Sequence, residues 1–394
     1  MGIDGTAKAA LQIECLNRVP ILRLMYDGNF VPSFFVISGY VQALEKLRLM
    51  DNHEWDLLQK SLASSTFGRL LRLYGPTAIV AILVPIAVKL GLYNWGETYR
   101  SRWLTAGPPV LIQQPTLGMQ FALTWDSFQD ILDIWRWEMV YPQYNIPMWT
   151  IPAEFRGSLV LYLSLLGVSR LRRITRISAL IMIATILVIW AKQDLCLYVL
   201  GAVLADIDLL RGLHKDPMGL PSSTPVISNF TIKIREMSWG MLLVVGLSLI
   251  SYSPTPNVSV KGFLDLSMYV PSGWEAAPFW NSIGSVLVVW GIINTPWVHA
   301  IFGKNLFLLL GQLSFAMYLI HAPILNMIAY VIIPFFWEIF GKETRAKMLL
   351  GFVLPTWLIV LPILLFSADK FRALVEKPIN SFGRWLQRSQ FVEF

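Results

Sequence analysis

Charge is scarce in this chain: Asp, Glu, Lys and Arg make up only 14% of its 394 residues, against 55% hydrophobic residues and a mean hydropathy of +0.55. That balance excludes a soluble globular domain. Cysteine is nearly absent as well. Cys15 and Cys196 are too few for a disulfide framework and have no metal-ligand spacing, so neither a stapled secreted fold nor a structural zinc site is expected. Also missing are a Gly-rich phosphate loop, a Gly-x-Ser-x-Gly elbow, internal repeats, and an apolar signal-peptide core in Met1–Arg18.

What is present is a series of long apolar stretches with 16 Trp and 13 Tyr, residues that anchor at the headgroup level of a bilayer and also line apolar cavities. The expected fold class is all-α: a polytopic integral membrane helical bundle embedded in the lipid bilayer. Nine spans are expected at about 30–44, 74–93, 148–168, 174–191, 195–210, 237–252, 280–294, 306–333 and 348–368. The excess of 32 Lys and Arg over 25 Asp and Glu calls for no nucleic acid, because its distribution along the chain explains it. Alternate connections collect 19 and 11 of these cations, so the richer side, with the basic tail Lys370–Arg388, is assigned to the cytoplasm.

That assignment leaves residues 1–29 as a basic, non-cytoplasmic N-terminal segment ahead of a membrane domain at 30–394. A first helix missing before residue 30 is the expectation that follows. The connection from Asn94 to Pro147, rich in Trp, Pro and Gln, falls outside, as does the sequon Asn257-Val258-Ser259, which would permit a glycoprotein. Pro217–Pro225 marks a cytoplasmic loop.

Four places carry candidate chemistry. Trp149-Thr150-Ile151-Pro152-Ala153-Glu154-Phe155-Arg156-Gly157-Ser158 sets a carboxylate and a guanidinium within an apolar span, where each ionised group costs roughly 2.5–3.5 kcal/mol on insertion scales. Glu154 and Arg156 are two residues apart and turn to different helix faces, so each needs its own partner. Arg69 and Arg72 share a face just before Tyr74-Gly75-Pro76, as a phosphate clamp or as ordinary cytoplasmic anchors. His321, shortly after Tyr318 and two residues before Pro323, can serve as a general base or be a packed imidazole bonded to a carbonyl freed by that proline. Ser38, in Phe34–Tyr40, is either a nucleophile or part of a Ser-Gly pair that lets helices approach.

At 1.5 Å per residue Glu154 lies about 9 Å and Arg156 about 12 Å below the outer surface, and His321 roughly 25 Å up from the opposite face reaches a similar depth. A carboxylate beside that imidazole would fix its tautomer. Asp206, Asp208 and Glu376-Lys377-Pro378 are expected at solvated ends near the cytoplasmic boundary.

In order, the tracts Phe34–Tyr40, Arg69–Pro76, Trp149–Leu161, Leu310–Pro323 and Glu376–Pro378 resemble acyltransferase family 3, the multi-span membrane O-acyltransferases, and Ile146–Ser158 resembles the fungal branch attached to secondary metabolism. The resemblance implies transfer of an acyl group, commonly acetyl from acetyl-CoA, to a hydroxyl of a small lipophilic acceptor, with endoplasmic reticulum or another endomembrane as location. It implies acyl-CoA as co-substrate on Arg69 and Arg72, catalytic roles for Glu154, Arg156 and His321, acceptor contacts from Trp149, Ser38 and Tyr318, and no metal. The family's first-helix histidine has no counterpart, since no histidine precedes His53. That departure agrees with the missing first helix, and leaves a degenerate member, or a carrier whose Glu154, Arg156 and His321 line a path, as the alternatives.

Overall fold

The computed structural model describes residues 30–94, 113–137, 142, 145–212, 229–252, 265–341 and 343–390, and every regular element among them is a helix. In chain order these are α1 (Val31–Asp51), α2 (Trp55–Lys89), α3 (Leu117–Leu132), a 3-10 turn (Ile146–Trp149), α4 (Thr150–Val168), α5 (Arg173–Ile189), α6 (Gln193–Leu210), α7 (Asn229–Ile250), α8 (Ala276–Asn294), α9 (Pro296–Phe302), α10 (Asn305–Ile324), α11 (Tyr330–Phe340), α12 (Arg345–Pro355), α13 (Leu361–Phe371) and α14 (Lys377–Gln390). Three π turns, Leu325–Ala329, Thr356–Val360 and Arg372–Glu376, join α10 to α11 and α12 through α13 to α14. Pro323 and Pro355 precede two of them; a proline ring clashes with the carbonyl four residues back, and a wider turn absorbs the misfit. The 1–29 segment, the Asn257 sequon and Pro217–Pro225 lie outside the described residues.

Among the described residues, five helical stretches are long and apolar enough to cross a membrane: Trp55–Lys89, Pro147–Val168, Ala276–Asn294, Asn305–Ala329 and Ala346–Ser389. They coincide with five of the nine expected spans. The other four are helices too, but α1 and α6 carry several charges, α5 has 17 residues, and the apolar part of α7 is only Met237–Ile250. Multiple spans make this an integral, multi-pass membrane protein.

The described residues form two compact units, one from Phe67–Phe155 and Asn305–Phe394, the other from residues up to Thr66 and Arg156–Lys304. The second is organised around α6, whose residues Leu195–Val199 and Gly201–Ala205 are buried on all sides. A helix apolar all round has to be enclosed, and α1, α5 and α8 enclose it. α1 and α6 cross at glycines: a Cβ on Gly201 would stand 2.7 Å from the Tyr40 backbone N, and one on Gly39 2.8 Å from Tyr198 Cα. Removing both side chains lets the backbones meet, which is the packing role expected of the Ser38-Gly39 pair. Gly246 and Gly284 do the same for α7 and α8, where an added Cβ would lie 2.9 Å and 2.6 Å, respectively, from the facing glycine's carbonyl oxygen.

Asp206 and Asp208 correct the expectation of solvated ends, for both are fully buried. Arg176, itself 2% exposed, donates from Nε to Asp206 at 2.7 Å and from Nη2 to Asp51 at 3.0 Å. Arg173 bonds the other oxygen of Asp51, and Tyr40 donates to Asp208 at 3.0 Å. The arginines at 173 and 176 therefore tie α1, α5 and α6 together with two aspartates. Buried charges persist only when paired in this way. Near the end of α1, Lys46 is also enclosed, donating to Ser65 at 2.7 Å beside the Tyr162 ring, and burial pushes its amine below the ordinary lysine range, partly offset by Glu45.

In the first unit, α3 lies inside the long polar connection expected from Asn94 to Pro147. Gln120, Thr124, Phe128 and Ile131 form its buried stripe, Thr116 caps it by accepting from Met119 N, and Tyr74 of α2 donates to Ile131 O at 3.2 Å. α14 packs along α2 through small residues, with Ile379 against Gly75, Gly383 against Leu71 and Gln387 against Gly68. That contact runs over the turn bearing Arg69 and Arg72.

Candidate functional site

Glu154 and Arg156 each have a partner, as their two-residue separation demands. In the first unit Arg69 Nη2 donates to Glu154 Oε2 at 3.0 Å, with side-chain exposures of 14% and 5%. In the second, Arg156 Nη2 donates to Asp194 Oδ2 at 2.9 Å. α4 changes units between Phe155 and Arg156.

The Arg69–Glu154 pair overturns the depths read from the sequence. Those depths put Arg69 at the cytoplasmic end of a span beginning at 74 and Glu154 near the outer surface, whereas two atoms 3.0 Å apart share one depth. The reason lies in α2, which begins at Trp55 and runs 35 residues, about 52 Å. Arg69 is therefore well inside the helix, about 21 Å from its first residue, and the hydrophobic boundary at Tyr74 marks no helix end. Arg72, one turn on, is exposed, and its charge acts on both Glu154 and Glu376.

A second group of contacts fixes α10 to the start of α4. Tyr318 donates to Pro147 O, so its oxygen accepts from Thr150 Oγ1 at 2.6 Å. Asn145 Nδ2 donates to Leu319 O at 2.8 Å. Leu319 is four residues before Pro323, and its carbonyl is the one that the missing proline N–H leaves unbonded in the helix. Asn145 thus supplies the donor that Pro323 removes.

His321 Nδ1 lies 2.7 Å from Tyr318 O. A carbonyl only accepts, so Nδ1 carries the proton, and the neutral ring presents the lone pair of Nε2. The tautomer is fixed by a backbone carbonyl, where the sequence suggests a carboxylate. Nor is this the carbonyl freed by Pro323, which Asn145 occupies. The Tyr318 ring stands tilted beside the imidazole at 5.9 Å between centroids, and the Glu154 charge reaches Tyr318. Arg69, Arg72, Trp149, Glu154, Tyr318 and His321 consequently all belong to the first unit; Arg156 and half-buried Ser38 belong to the second.

Three contributors go unnoticed in the sequence. Thr150 lies inside the Trp149–Ser158 motif but carries no charge to draw attention. Asn145 had a signal, since Pro323 within a helix creates a demand for a side-chain donor. Asp194 opens α6 beyond a turn, and nothing local connects it with Arg156.

Residues 27–368 match the family model of acyltransferase 3, described as an acyltransferase domain. Among similar proteins, Acyltransferase clz18 of Cochliobolus lunatus is 27% identical over 423 residues, covering 97% of this chain and 87% of that one. Acyltransferase R4 of Phoma sp. (strain ATCC 20986 / MF5453) is 25% identical over 97% of this chain and 87% of its own length. O-acetyltransferase PaAT-1 of Phomopsis amygdali is 25% identical over 93% of this chain and 76% of its own. No solved structure matches.

Proposed function

Because the chain belongs to the acyltransferase 3 family, we propose that it is a membrane O-acyltransferase moving an acyl group, acetyl in the first instance, from acyl-CoA to a hydroxyl of a small lipophilic acceptor. The similarity to O-acetyltransferase PaAT-1 supports the acetyl assignment, and the fungal style of Ile146–Ser158 supports an acceptor from secondary metabolism. The membrane domain is assigned to 30–394 with a basic cytoplasmic tail, residues 1–29 to the non-cytoplasmic side, and the protein to an endomembrane.

The observation that carries this reading is the pinned tautomer of His321, a neutral imidazole with Nε2 available as a base. Nε2 takes the proton of the acceptor hydroxyl as its oxygen attacks the thioester carbonyl. The tetrahedral oxyanion collapses, the C–S bond breaks, and the departing thiolate recovers the proton from Nε2–H. Ester and free CoA thiol result, and the imidazole returns to its starting state. Tyr318 and Thr150 hold the ring's helix in place, and Trp149 and Tyr318 are assigned to the acceptor. Exposed Arg72 faces the donor phosphates, while Glu154 orients Arg69 beside it. Arg156 and Ser38 keep their assignments, to charge stabilisation and to acceptor contact, on the family resemblance alone.

Membranes bearing the full chain, given radiolabelled acetyl-CoA and a pool of hydroxylated metabolites, should form labelled ester that His321→Ala membranes do not. Equal ester from both would reject His321 as the base, and no ester from either would favour a degenerate member.

A further inference from the structure

Among the described residues, the most conspicuous surface that the proposed chemistry leaves unused is on α14. Phe382 and Trp385 are 54% and 60% exposed and stack on each other with centroids 5.8 Å apart and 27° between planes. At 100° per residue, Lys377, Arg384 and Arg388 form a stripe beside them, all exposed, and Arg384 is steadied by Ser381 at 3.1 Å. The opposite face, through Gly383 and Ile379, lies against Leu71 and Gly75 of α2.

A membrane-interface belt would explain such aromatics if α14 lay in the headgroups, but the length of its helix argues otherwise. The stretch Ala346–Ser389 is 44 residues, about 66 Å, whereas a bilayer with both headgroup layers is about 40–45 Å thick. Glu343, Arg345 and Lys347 mark the polar boundary at its start. Some 20 Å of helix therefore stands clear of the lipid, and α14 is that part. Stacked rings in water beside three cations suit a ligand that is flat at one point and multiply anionic at the next.

We propose that Trp385 and Phe382, with Arg384 and Arg388, form the subsite for the 3′-phosphoadenosine end of the acyl-CoA donor. The assignment rests on the acyltransferase reading above and extends it. The adenine stacks on the outer face of Trp385, which any base can do through its π-face. The 3′-phosphate is held by the arginine pair, one turn apart on the same helix. The contact between Gly383 and Leu71 sets this subsite against the turn carrying Arg72, so the pyrophosphate leads from α14 to α2 and the thioester end onward into the helices. The sequence places the same basic tail on the cytoplasmic side, where acyl-CoA is found.

The test uses the full chain in neutral-lipid nanodiscs with acetyl-CoA, 3′-dephospho-acetyl-CoA and S-acetylpantetheine. Trp385→Ala should lower the ratio of kcat/KM for acetyl-CoA over S-acetylpantetheine about tenfold, the scale of one lost base stack. Arg384→Gln/Arg388→Gln should abolish the preference of the unaltered chain for acetyl-CoA over its 3′-dephospho form. Unchanged ratios in both variants, with normal ester formation, overturn the subsite and leave the acyltransferase reading standing. Loss of all acyl-CoA binding and transfer in the unaltered chain overturns both. Variant effects that appear only when anionic lipid is added assign the surface to the membrane and likewise overturn the subsite.

Discussion

Breaking the Arg69–Glu154 pair should have unequal consequences depending on which partner is removed. The two side chains are 14% and 5% exposed and 3.0 Å apart, so neither charge is well hydrated, and removing one partner of a buried pair costs about 3–5 kcal/mol. Glu154→Gln removes the carboxylate on which Arg69 and Arg72, three residues apart on one helix face, both act, and should cost about 3 kcal/mol or more. Arg69→Met leaves Glu154 with the charge of Arg72 still acting on it, and should cost less, about 2 kcal/mol. In the double variant no lone charge remains at the pair, and at least about 2 kcal/mol of the summed loss should return. Equilibrium unfolding of the purified protein in mixed micelles, followed by intrinsic tryptophan signal, measures all three. Additivity within about 0.5 kcal/mol would refute the pair as a linked element.

Other outcomes follow from the same geometry. His321→Gln should lower ester formation about 10²–10⁴-fold while acetyl-CoA binding, read by equilibrium dialysis, stays within twofold. Asn145→Ala should cost about 1–3 kcal/mol in the same unfolding assay, because the Leu319 carbonyl loses its donor, and Pro323→Ala should relieve most of that loss by restoring the helical N–H. Arg176→Met should cost about 3–5 kcal/mol by removing the guanidinium that holds both oxygens of fully buried Asp206, with partial recovery in Arg176→Met/Asp206→Asn. The Lys46 amine has a folded value below its ordinary 10.5, so the unfolded chain binds more protons between those values and stability should rise with pH there. Lys46→Met should flatten that rise, measured as the midpoint of unfolding while the pH is raised toward 10.5.

Much of the helical plan was legible because apolar composition and length are local properties, and the spans at 74–93, 148–168, 280–294, 306–333 and 348–368 needed nothing else. Depth was not. The boundary drawn at Tyr74 followed hydropathy, but α2 continues as helix for nineteen residues before it, and its charged first half was indistinguishable from a loop. α3 escaped for the opposite reason: its buried stripe includes Gln120 and Thr124, polar residues that the period-3.6 search for apolar positions passes over. Asp206 and Asp208 look solvated in the sequence because their burial depends on distant partners, Arg176 of α5 thirty residues from Asp206 and Tyr40 of α1 168 residues from Asp208. At the site, the need of Glu154 and Arg156 for separate partners was legible in their spacing, but the identity of those partners was not. The direction of the His321 ring is equally hidden, since nothing local in the sequence says that its Nδ1 meets the Tyr318 carbonyl.

An imidazole held at Nδ1 by a backbone carbonyl has only one open end. It can store a proton and give it back, but it cannot pass one through, because a conduit must accept at one nitrogen while releasing from the other. Whatever proton Nε2 takes must leave from the side on which it came. Such a ring is poorly suited to carrying protons across a bilayer, which weighs against a carrier, and it makes each turnover neutral: the proton taken from the hydroxyl departs on the thiol, and the membrane on either side gains none.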